Sequence, residues 1–514
     1  MNKFVWVSLS LLSGLLLFLV SPPLPFWWVS LFALVPLFIA ISEGAPRRGI
    51  ICGLITATFC TFLGEFWVIN SITIFGGVPW ILALFATLIM SLFGALNFVV
   101  FAWLVRVIQR QVKLPVFFLF PSLFLATEWI VPKLFPWFVG SWTHGWRAGR
   151  QIADITGIHG PNLIVICCNV TLFLWFLSWW KKRRMPLIET GITIALILVA
   201  QFYGSWRIDN LTEKLPQARQ MKISVAQTNI GSLQKERAQR GHQGALSFSH
   251  RRNEELVLRA GKENPDLIVL PETAVHGIFT QSKIVQYRMF SLARDANAAI
   301  FFGGYHSERR DGREVDFNSA FLITPEDQLA GQYSKIKLLL FGEYLPFPDA
   351  AIWPNSVKEA VGQFARGKEI NLFSYKGEQL APLICFEGIL PQLVRKFVKA
   401  GATLFVNISN DSWFGDSLAP HQHFTLDTWR TIEHRKPLVR ATNTGISGFI
   451  NIFGDITDTI PINKIDIRTK SVEIIDEETF YTRHGDWLVW IALLFSMLIL
   501  LFTFARIIFR KKRV

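Results

Sequence analysis

The chain has 514 residues, of which 51% are hydrophobic, and its 52 Lys and Arg against 38 Asp and Glu give a formal net charge of +14. This apolar content is too high for a wholly soluble protein, so part of the chain must lie in a membrane. The basic residues cluster beside apolar runs, which indicates membrane topology and argues against nucleic acid as a partner.

Eight apolar segments are candidate membrane spans, because about 20 predominantly apolar residues are needed to cross a bilayer. The first two are joined by a proline-rich run at 21–25, and we interpret them as two full spans, with a re-entrant hairpin as the alternative. The eight segments cover residues 4–20, 27–41, 50–69, 79–107, 115–131, 162–180, 187–202 and 487–509.

Basic residues in short loops orient such an array, because they resist translocation. They occur at Lys3, at Arg47 and Arg48, and in the stretches 106–113, 181–184 and 510–513. An arrangement with both termini in the cytoplasm satisfies every cluster. It predicts a membrane domain at 1–204 with about seven spans, an extracytoplasmic domain at 205–486, and a C-terminal span with a basic cytoplasmic tail at 487–514.

Residues 205–486 change character, since apolar runs of strand length alternate there with amphipathic stretches of helix length. This alternation predicts a layered α/β domain with its chemistry at the strand ends. Gly303 and Gly304 are interpreted as turn glycines, and nothing in the domain is typical of a phosphate-binding loop.

Three predicted strands end at ionisable groups of complementary chemistry: Glu272 follows 267–270, Lys335 follows 329–333 and Cys385 follows 381–384. Cys385 is the one cysteine outside the candidate spans. A thiol with a pKa of about 8.5 needs a base to become a nucleophile, and a nearby ammonium can stabilise an oxyanion. Taken singly, such residues are more often a packed cysteine or partners in a surface salt bridge.

Three ordered motifs favour a catalytic site over these structural roles, because together they resemble the carbon-nitrogen hydrolase (nitrilase) superfamily with its Glu-Lys-Cys triad. With the flanking spans and the segments 407–416, 421–423 and 440–445, the chain resembles the apolipoprotein N-acyltransferase family of the bacterial inner membrane. The motifs are Pro271-Glu272-Thr273, then Tyr333 and Lys335 followed by Phe341-Gly342-Glu343, and then Ile384-Cys385-Phe386-Glu387.

The resemblance implies a nitrilase-like αββα sandwich on the periplasmic side of the membrane. It makes Glu272 the general base, Lys335 the stabiliser of the transition state and Cys385 the nucleophile. The same resemblance implies three supporting residues, Glu343, Glu387 and Asn318.

Three positions depart from the family pattern. The usual tyrosine after the cysteine is Phe386, the customary histidine two residues after the lysine is Lys337, and no tryptophan occurs at 231–237. These departures leave the triad intact, and they concern the positioning of substrates.

The implied reaction transfers a fatty acyl chain from a membrane phospholipid, through a thioester on the cysteine, to the N-terminal amine of diacylglyceryl-modified apolipoproteins. This would be the last step of lipoprotein maturation. Phe341, Phe386, Trp413 and Phe414 are candidate substrate or lid residues, because apolar material must keep water from the thioester.

Two other function classes stay open at this point: a membrane-anchored amidase with the same triad that acts on a small amide, and an idle scaffold. We expect no cofactor and a monomer. His421 and His423 lie two residues apart, which does not match a metal-binding pair on one helix face.

The orientation argument makes a prediction about topology. Reporter fusions after Arg184 and Arg513 should give a cytoplasmic signal, whereas a fusion near Asp316 should give an extracytoplasmic one, because the basic loops hold the intervening spans in place. A cytoplasmic signal from the fusion at Asp316 would contradict this assignment.

Overall fold

Apolar helices make up the first of two units into which the chain divides. A computed structural model describes residues 2–231, 242–310, 312–346, 361 and 363–511. The first unit comprises Met1–Ile69, Pro79–Asn210 and Thr479–Val514, and the second comprises Asn70–Val78 and Leu211–Glu478. The residues at 232–241, which include most of the stretch without the expected tryptophan, and Phe347, part of an apolar run beside the predicted site, lie outside the described residues.

Among the residues that the structure describes, three helices are long and apolar enough to cross a membrane, or up to five spans if each of two bent pairs counts as one. The three are α9 (His159–Lys181), α10 (Leu187–Thr212) and α16 (Trp487–Lys511). The bent pairs are α3 (Pro46–Gly64) with α4 (Val68–Gly76), and α5 (Trp80–Gly94) with α6 (Leu96–Gln111). The helices of this part of the chain are α1 (Lys3–Leu19), α2 (Val35–Ala40), α3 (Pro46–Gly64), α4 (Val68–Gly76), α5 (Trp80–Gly94), α6 (Leu96–Gln111), α7 (Val116–Ile130), α8 (Ala153–Thr156), α9 (His159–Lys181), α10 (Leu187–Thr212), α15 (Phe480–His484) and α16 (Trp487–Lys511).

The predicted spans at 50–69 and 79–107 are not single straight helices. The pair α3 and α4 bends by 56°, and the pair α5 and α6 bends by 41°. The predicted spans at 4–20 and 115–131 correspond to α1 and α7, which have 17 and 15 residues. Both are shorter than the length of about 20 residues that a span requires, so the number of eight full spans stays a prediction.

The predicted span at 27–41 is not one continuous α-helix, and its crossing of the membrane stays a prediction. A 3₁₀ helix covers Trp27–Leu31, and α2 starts only at Val35 with Pro36 in its first turn. Proline has no N–H to continue a helix on its N-terminal side, so the helix breaks before it. The side chain of Asn169 satisfies the freed backbone, since its Oδ1 accepts from Leu34 N at 2.7 Å and its Nδ2 donates to Ser30 O at 2.8 Å. Such compensation is what an apolar surrounding demands.

Two six-stranded sheets form the centre of the second unit, in the orders β12-β1-β2-β3-β4-β5 and β11-β10-β9-β8-β7-β6. In each sheet three neighbouring strands run parallel, β1 to β3 and β7 to β9. The strands are β1 (Arg219–Gln227), β2 (Leu267–Val269), β3 (Ala299–Arg310), β4 (Arg313–Ile323), β5 (Leu329–Ser334), β6 (Phe373–Tyr375), β7 (Glu378–Ile384), β8 (Leu404–Ser409), β9 (Leu438–Thr442), β10 (Ser447–Ile450), β11 (Ile456–Ile460) and β12 (Asp466–Ile474).

Alternating side chains bury both faces of the first sheet. In β3, Phe301 faces a core shared with the second sheet, whereas Ile300 and Phe302 face a core shared with two helices. These helices are α11 (Gln243–Gly261) and α12 (Lys283–Ala296), and α13 (Pro391–Lys399) and α14 (Ala419–His434) pack against the second sheet. The predicted α/β sandwich is therefore confirmed, and alternation with period two explains it.

The interpretation of Gly303 and Gly304 as turn glycines is wrong, because both lie inside β3. Gly303 pairs with the loop after β2, where its N donates to Pro271 O and its O accepts from Val275 N, both at 3.1 Å. A Cβ at position 303 would lie 2.6 Å from the Cα of Glu272. The glycine therefore permits the backbone that carries Glu272 to approach the strand.

This close approach makes a prediction with an internal control. Gly303→Ala should displace the Glu272 loop and lower the free energy of unfolding by about 1–3 kcal/mol, as overpacking does. Gly304→Ala should change little, since its added Cβ would have its nearest neighbour at 3.5 Å. Thermal melting of the two variants and the activity of each measure the difference, and equal behaviour of the pair would contradict the packing argument.

Candidate active site

The three predicted catalytic residues follow three strands of the second unit. Glu272 comes three residues after β2, Lys335 directly follows β5 and Cys385 directly follows β7. The structure brings Lys335 and Glu272 into contact, with 3.4 Å between Nζ and Oε1. The thiol of Cys385 is close enough for the charges of Glu272 and Lys335 to act on its pKa in opposite directions.

Lys335 is a buried ammonium held between two carboxylates. Its side chain is 1% exposed, and Nζ lies 3.0 Å from Oε1 and 2.9 Å from Oε2 of Glu343, in addition to the contact with Glu272. Burial alone lowers the pKa of Lys335, but Glu343 and Glu272 outweigh burial and raise it above its ordinary value. The lysine is therefore a permanent positive charge in a dry site.

Asn318 joins the same two carboxylates. Its Nδ2 donates to Oε1 of Glu272 and to Oε1 of Glu343, each at 2.7 Å. Because its two N–H groups bind two acceptors, the amide holds both carboxylates in position beside the lysine. The supporting residues Asn318 and Glu343 thus lie beside the residues that they were predicted to support.

Cys385 opens a 3₁₀ turn, Cys385–Ile389, with φ of +56°. A cysteine in this left-handed region is strained and persists only where its surroundings hold it. Burial raises the pKa of its thiol to about 12, the negative charge of Glu272 adds to the rise, and Lys335 opposes it. The thiol is therefore protonated at rest and needs a base before it can attack.

Glu387 connects the turn of Cys385 to the segment that carries Lys335. Its Oε1 accepts from the hydroxyl of Tyr333 and from the backbone N of Ile336 and of Lys337, each at 2.9 Å. Its Oε2 accepts from Ile384 N at 3.1 Å. Burial raises the pKa of Glu387 to about 7, while Lys335 and these donors oppose the rise. Glu387 thus contacts both segments, and the supporting role that the resemblance implies stays a prediction.

The four predicted substrate or lid residues differ in exposure. Phe341 and Trp413 are 48% and 43% exposed, whereas Phe386 and Phe414 are partly buried. Nζ of Lys335 lies 5.6 Å from the centre of the Phe386 ring. Trp413 and Phe414 belong to the loop 410–416, called the lid loop below. Their role as a lid stays a prediction.

Sequence reasoning missed a buried polar cluster behind the nucleophile. Asn407 donates from Nδ2 to the carbonyl of Cys385 at 2.9 Å, and Arg440 binds both Asn407 and Asp411. All three lie in segments that carried the resemblance, at 407–416 and 440–445. The pattern therefore contained them, but no spacing rule connects residues on separate strands.

The raised pKa of Glu387 makes a prediction about stability. Its folded-state pKa of about 7 exceeds the ordinary 4.5, so between these values the folded protein keeps a proton that the unfolded chain releases. The free energy of unfolding should therefore fall as the pH rises through this window, by about 3 kcal/mol. Glu387→Gln cannot ionise and should lose this part of the slope.

Melting temperatures in detergent from about pH 4.5 to 7.5 measure the effect. The readout is the difference between wild type and Glu387→Gln at each pH, because other groups contribute equally to both. A difference that stays constant over the window, or rises with pH, would contradict the role of burial at this carboxylate.

Comparisons with known proteins show what the chain is similar to. Residues 222–468 match the family model "Carbon-nitrogen hydrolase", and residues 13–171 match the model "Apolipoprotein N-acyltransferase N-terminal domain". A solved amidase of the nitrilase superfamily from Nesterenkonia AN1 is 18% identical, with a TM-score of 0.39, and the match covers 52% of this chain and 95% of that chain.

Full-length relatives match as well. The apolipoprotein N-acyltransferase of Geobacter metallireducens is 31% identical over 493 residues, which cover 94% of this chain and 92% of that protein. The apolipoprotein N-acyltransferase of Bdellovibrio bacteriovorus is 28% identical, with 94% and 91% covered. Because this similarity runs over nearly the whole chain, the chain belongs to the apolipoprotein N-acyltransferase family.

Proposed function

We propose that this protein transfers a fatty acyl chain from a membrane phospholipid to the N-terminal amine of a diacylglyceryl-cysteine apolipoprotein, through a thioester on Cys385. The observation that carries the proposal is the buried group of Lys335, Glu272, Glu343 and Asn318 beside a protonated thiol. Family membership supports the same choice of substrates.

The first half of the reaction forms the thioester. Glu272 accepts the proton of Cys385, and the thiolate attacks the ester carbonyl of the phospholipid. Negative charge develops on the carbonyl oxygen, where the ammonium of Lys335 stabilises it. When the tetrahedral intermediate collapses, the carbon–oxygen bond of the ester breaks, and the departing lysophospholipid takes the proton from Glu272.

The second half transfers the acyl group. The amine of the apolipoprotein attacks the thioester, Glu272 accepts its proton, and an amide bond forms as the carbon–sulfur bond breaks. The thiolate leaves and takes this proton back from Glu272, which restores the resting thiol and the carboxylate. Because the same carboxylate serves both halves, its position relative to Lys335 matters in each.

Water must not reach the thioester, since hydrolysis would release the acyl chain as a fatty acid. Exposed aromatic side chains are suited to binding acyl chains, and Phe341 and Trp413 are half exposed in loops. We assign Phe341, Phe386, Trp413 and Phe414 to this apolar surrounding. Leu338 and Leu345 in the same region are buried and need no role beyond packing.

The orientation of the protein is part of the proposal. Basic residues at both ends of the chain and in alternate loops support cytoplasmic termini and a catalytic domain on the periplasmic face of the inner membrane. We expect the protein to act as a monomer. The phospholipid and the apolipoprotein are the expected partners.

The proposal predicts how the acyl-enzyme is discharged. A peptide with a diacylglyceryl-cysteine N-terminus should remove the acyl group from wild-type enzyme and become N-acylated, because its free amine attacks the thioester. The same peptide with its amine acetylated is the matched control and should leave the acyl-enzyme intact. Glu272→Gln should slow the discharge, since the amine loses its proton acceptor.

Mass spectrometry of enzyme and peptide follows both products. If the free-amine peptide leaves the acyl group in place while a small amide is hydrolysed readily, the amidase alternative replaces the acyltransferase.

A further inference from the structure

The guanidinium of Arg440 is a meeting point of the three polar segments at 407–416, 421–423 and 440–445. It is fully buried on β9. Nη2 lies 2.9 Å from Oδ2 of Asp411 and 2.9 Å from Nδ1 of His423, and Nη1 lies 2.5 Å from Oδ2 of Asp427 and 3.1 Å from Oδ1 of Asn407. None of these side chains takes part in the proton transfers described above.

One set of contacts in this cluster, called an arm below, reaches the nucleophile. Because Oδ1 of Asn407 accepts from Arg440, its Nδ2 must point the other way, and it donates to the carbonyl of Cys385 at 2.9 Å. The carbonyl belongs to the residue with φ of +56°. A strained turn needs such restraints, and the bond from Asn407 to the carbonyl of Cys385 adds to the bond from Ile384 N to Glu387.

A second arm reaches the lid loop. Asp411 has φ of +46°, its carbonyl accepts from Phe414 N at 3.1 Å, and its Oδ1 accepts from the hydroxyl of Ser409 at 2.6 Å. A Cβ on Gly445 would lie 2.3 Å from Oδ2 of this carboxylate, so the space around it is filled. Asp411 thus sets the start of the lid loop, and Arg440 holds Asp411.

Contacts of His423 reinforce this arm. Its ring meets the ring of Phe414 nearly at right angles, with 6.2 Å between centres. Its Nδ1 accepts from Arg440, which has no lone pair to offer in return. The imidazole is therefore braced between the guanidinium and an aromatic side chain of the lid loop.

Charge compensation keeps the cluster in place. Burial raises the pKa of Asp411, but Arg440 together with His423 and the hydroxyl of Ser409 outweighs burial and holds this pKa well below its usual range. Asp411 is therefore a carboxylate that binds the guanidinium through charge as well as through hydrogen bonds. A lysine at position 440 would keep the charge but could not reach four partners from one nitrogen.

We propose that Arg440 is a positioning residue that couples the lid loop to the nucleophile, through Asp411 on one side and through Asn407 and the carbonyl of Cys385 on the other. The proposal rests on the proposed function in one respect, namely that the lid loop contacts the phospholipid. The arm that reaches Cys385 does not depend on this contact with phospholipid.

Two substitutions separate the arms. Asn407→Ala removes the bond to Cys385 and leaves Arg440 its other three partners, so kcat should fall about 10- to 100-fold at unchanged KM for phospholipid, as small misplacements of reacting groups do. Arg440→Lys should lower kcat and also raise KM, because the lid loop loses its anchor. Should Arg440→Lys not accumulate as folded protein, Asp411→Asn tests the same arm.

Asn451→Ala is the matched control, because Oδ1 of Asn451 also binds backbone groups, the N of Phe453 and of Asp455, in the turn between β10 and β11. It should lower stability without changing kcat per folded molecule. Alkylation of Cys385 by iodoacetamide provides a readout that does not depend on the reaction, and Asn407→Ala should slow it.

If Asn407→Ala keeps the kcat and the alkylation rate of the wild type, the proposed coupling to the nucleophile is wrong. If KM is unchanged in Arg440→Lys or Asp411→Asn, the proposed coupling to the lid loop is wrong. If wild-type enzyme forms no acyl-enzyme from phospholipid, the proposed function fails, yet the alkylation rates still decide the arm to Cys385.

Discussion

An ammonium group inside a protein requires negative partners, because its removal from water is otherwise prohibitive. Lys335, with 1% of its side chain exposed, meets this requirement through Glu272 and Glu343. The strands must therefore deliver three charged residues to one point, and Asn318 must fix the carboxylates there. Gly303 permits the approach of the Glu272 backbone. The positive charge that the proposed mechanism uses to stabilise an oxyanion is thus first a constraint on the fold.

The surroundings of Cys385 keep its thiol protonated, and so unreactive, when no substrate is bound. With its pKa raised to about 12 by burial, Cys385 stays a thiol, and in the proposed mechanism thiolate forms only when Glu272 accepts the proton in the presence of a substrate. The strained turn is held by hydrogen bonds to Glu387 and from Asn407. An enzyme that carries an acyl thioester beside a membrane benefits from this order of events, because an idle thiolate would react with other electrophiles.

Strand ends and ordered motifs predicted where Glu272, Lys335 and Cys385 lie, and their catalytic roles stay a prediction. Glu272 and Cys385 follow buried strands, whereas β5 before Lys335 is for the most part partly exposed. The α/β sandwich was predictable because period-two alternation is a local signal. Other features depend on contacts between distant segments. The break before Pro36 is stable only because Asn169 caps the freed backbone, and the contacts of Arg440 arise only when β8, β9 and α14 pack together.

The most direct test of the account is the mass of the protein purified from membranes. We expect an added fatty acyl group that neutral hydroxylamine removes, located by peptide mapping on Cys385 and absent from Cys385→Ser, because a serine hydroxyl ionises far less readily than a thiol. Absence of any adduct after incubation with phospholipid, or an adduct confined to the cysteines at 52, 60, 167 and 168, would contradict a thioester at this site.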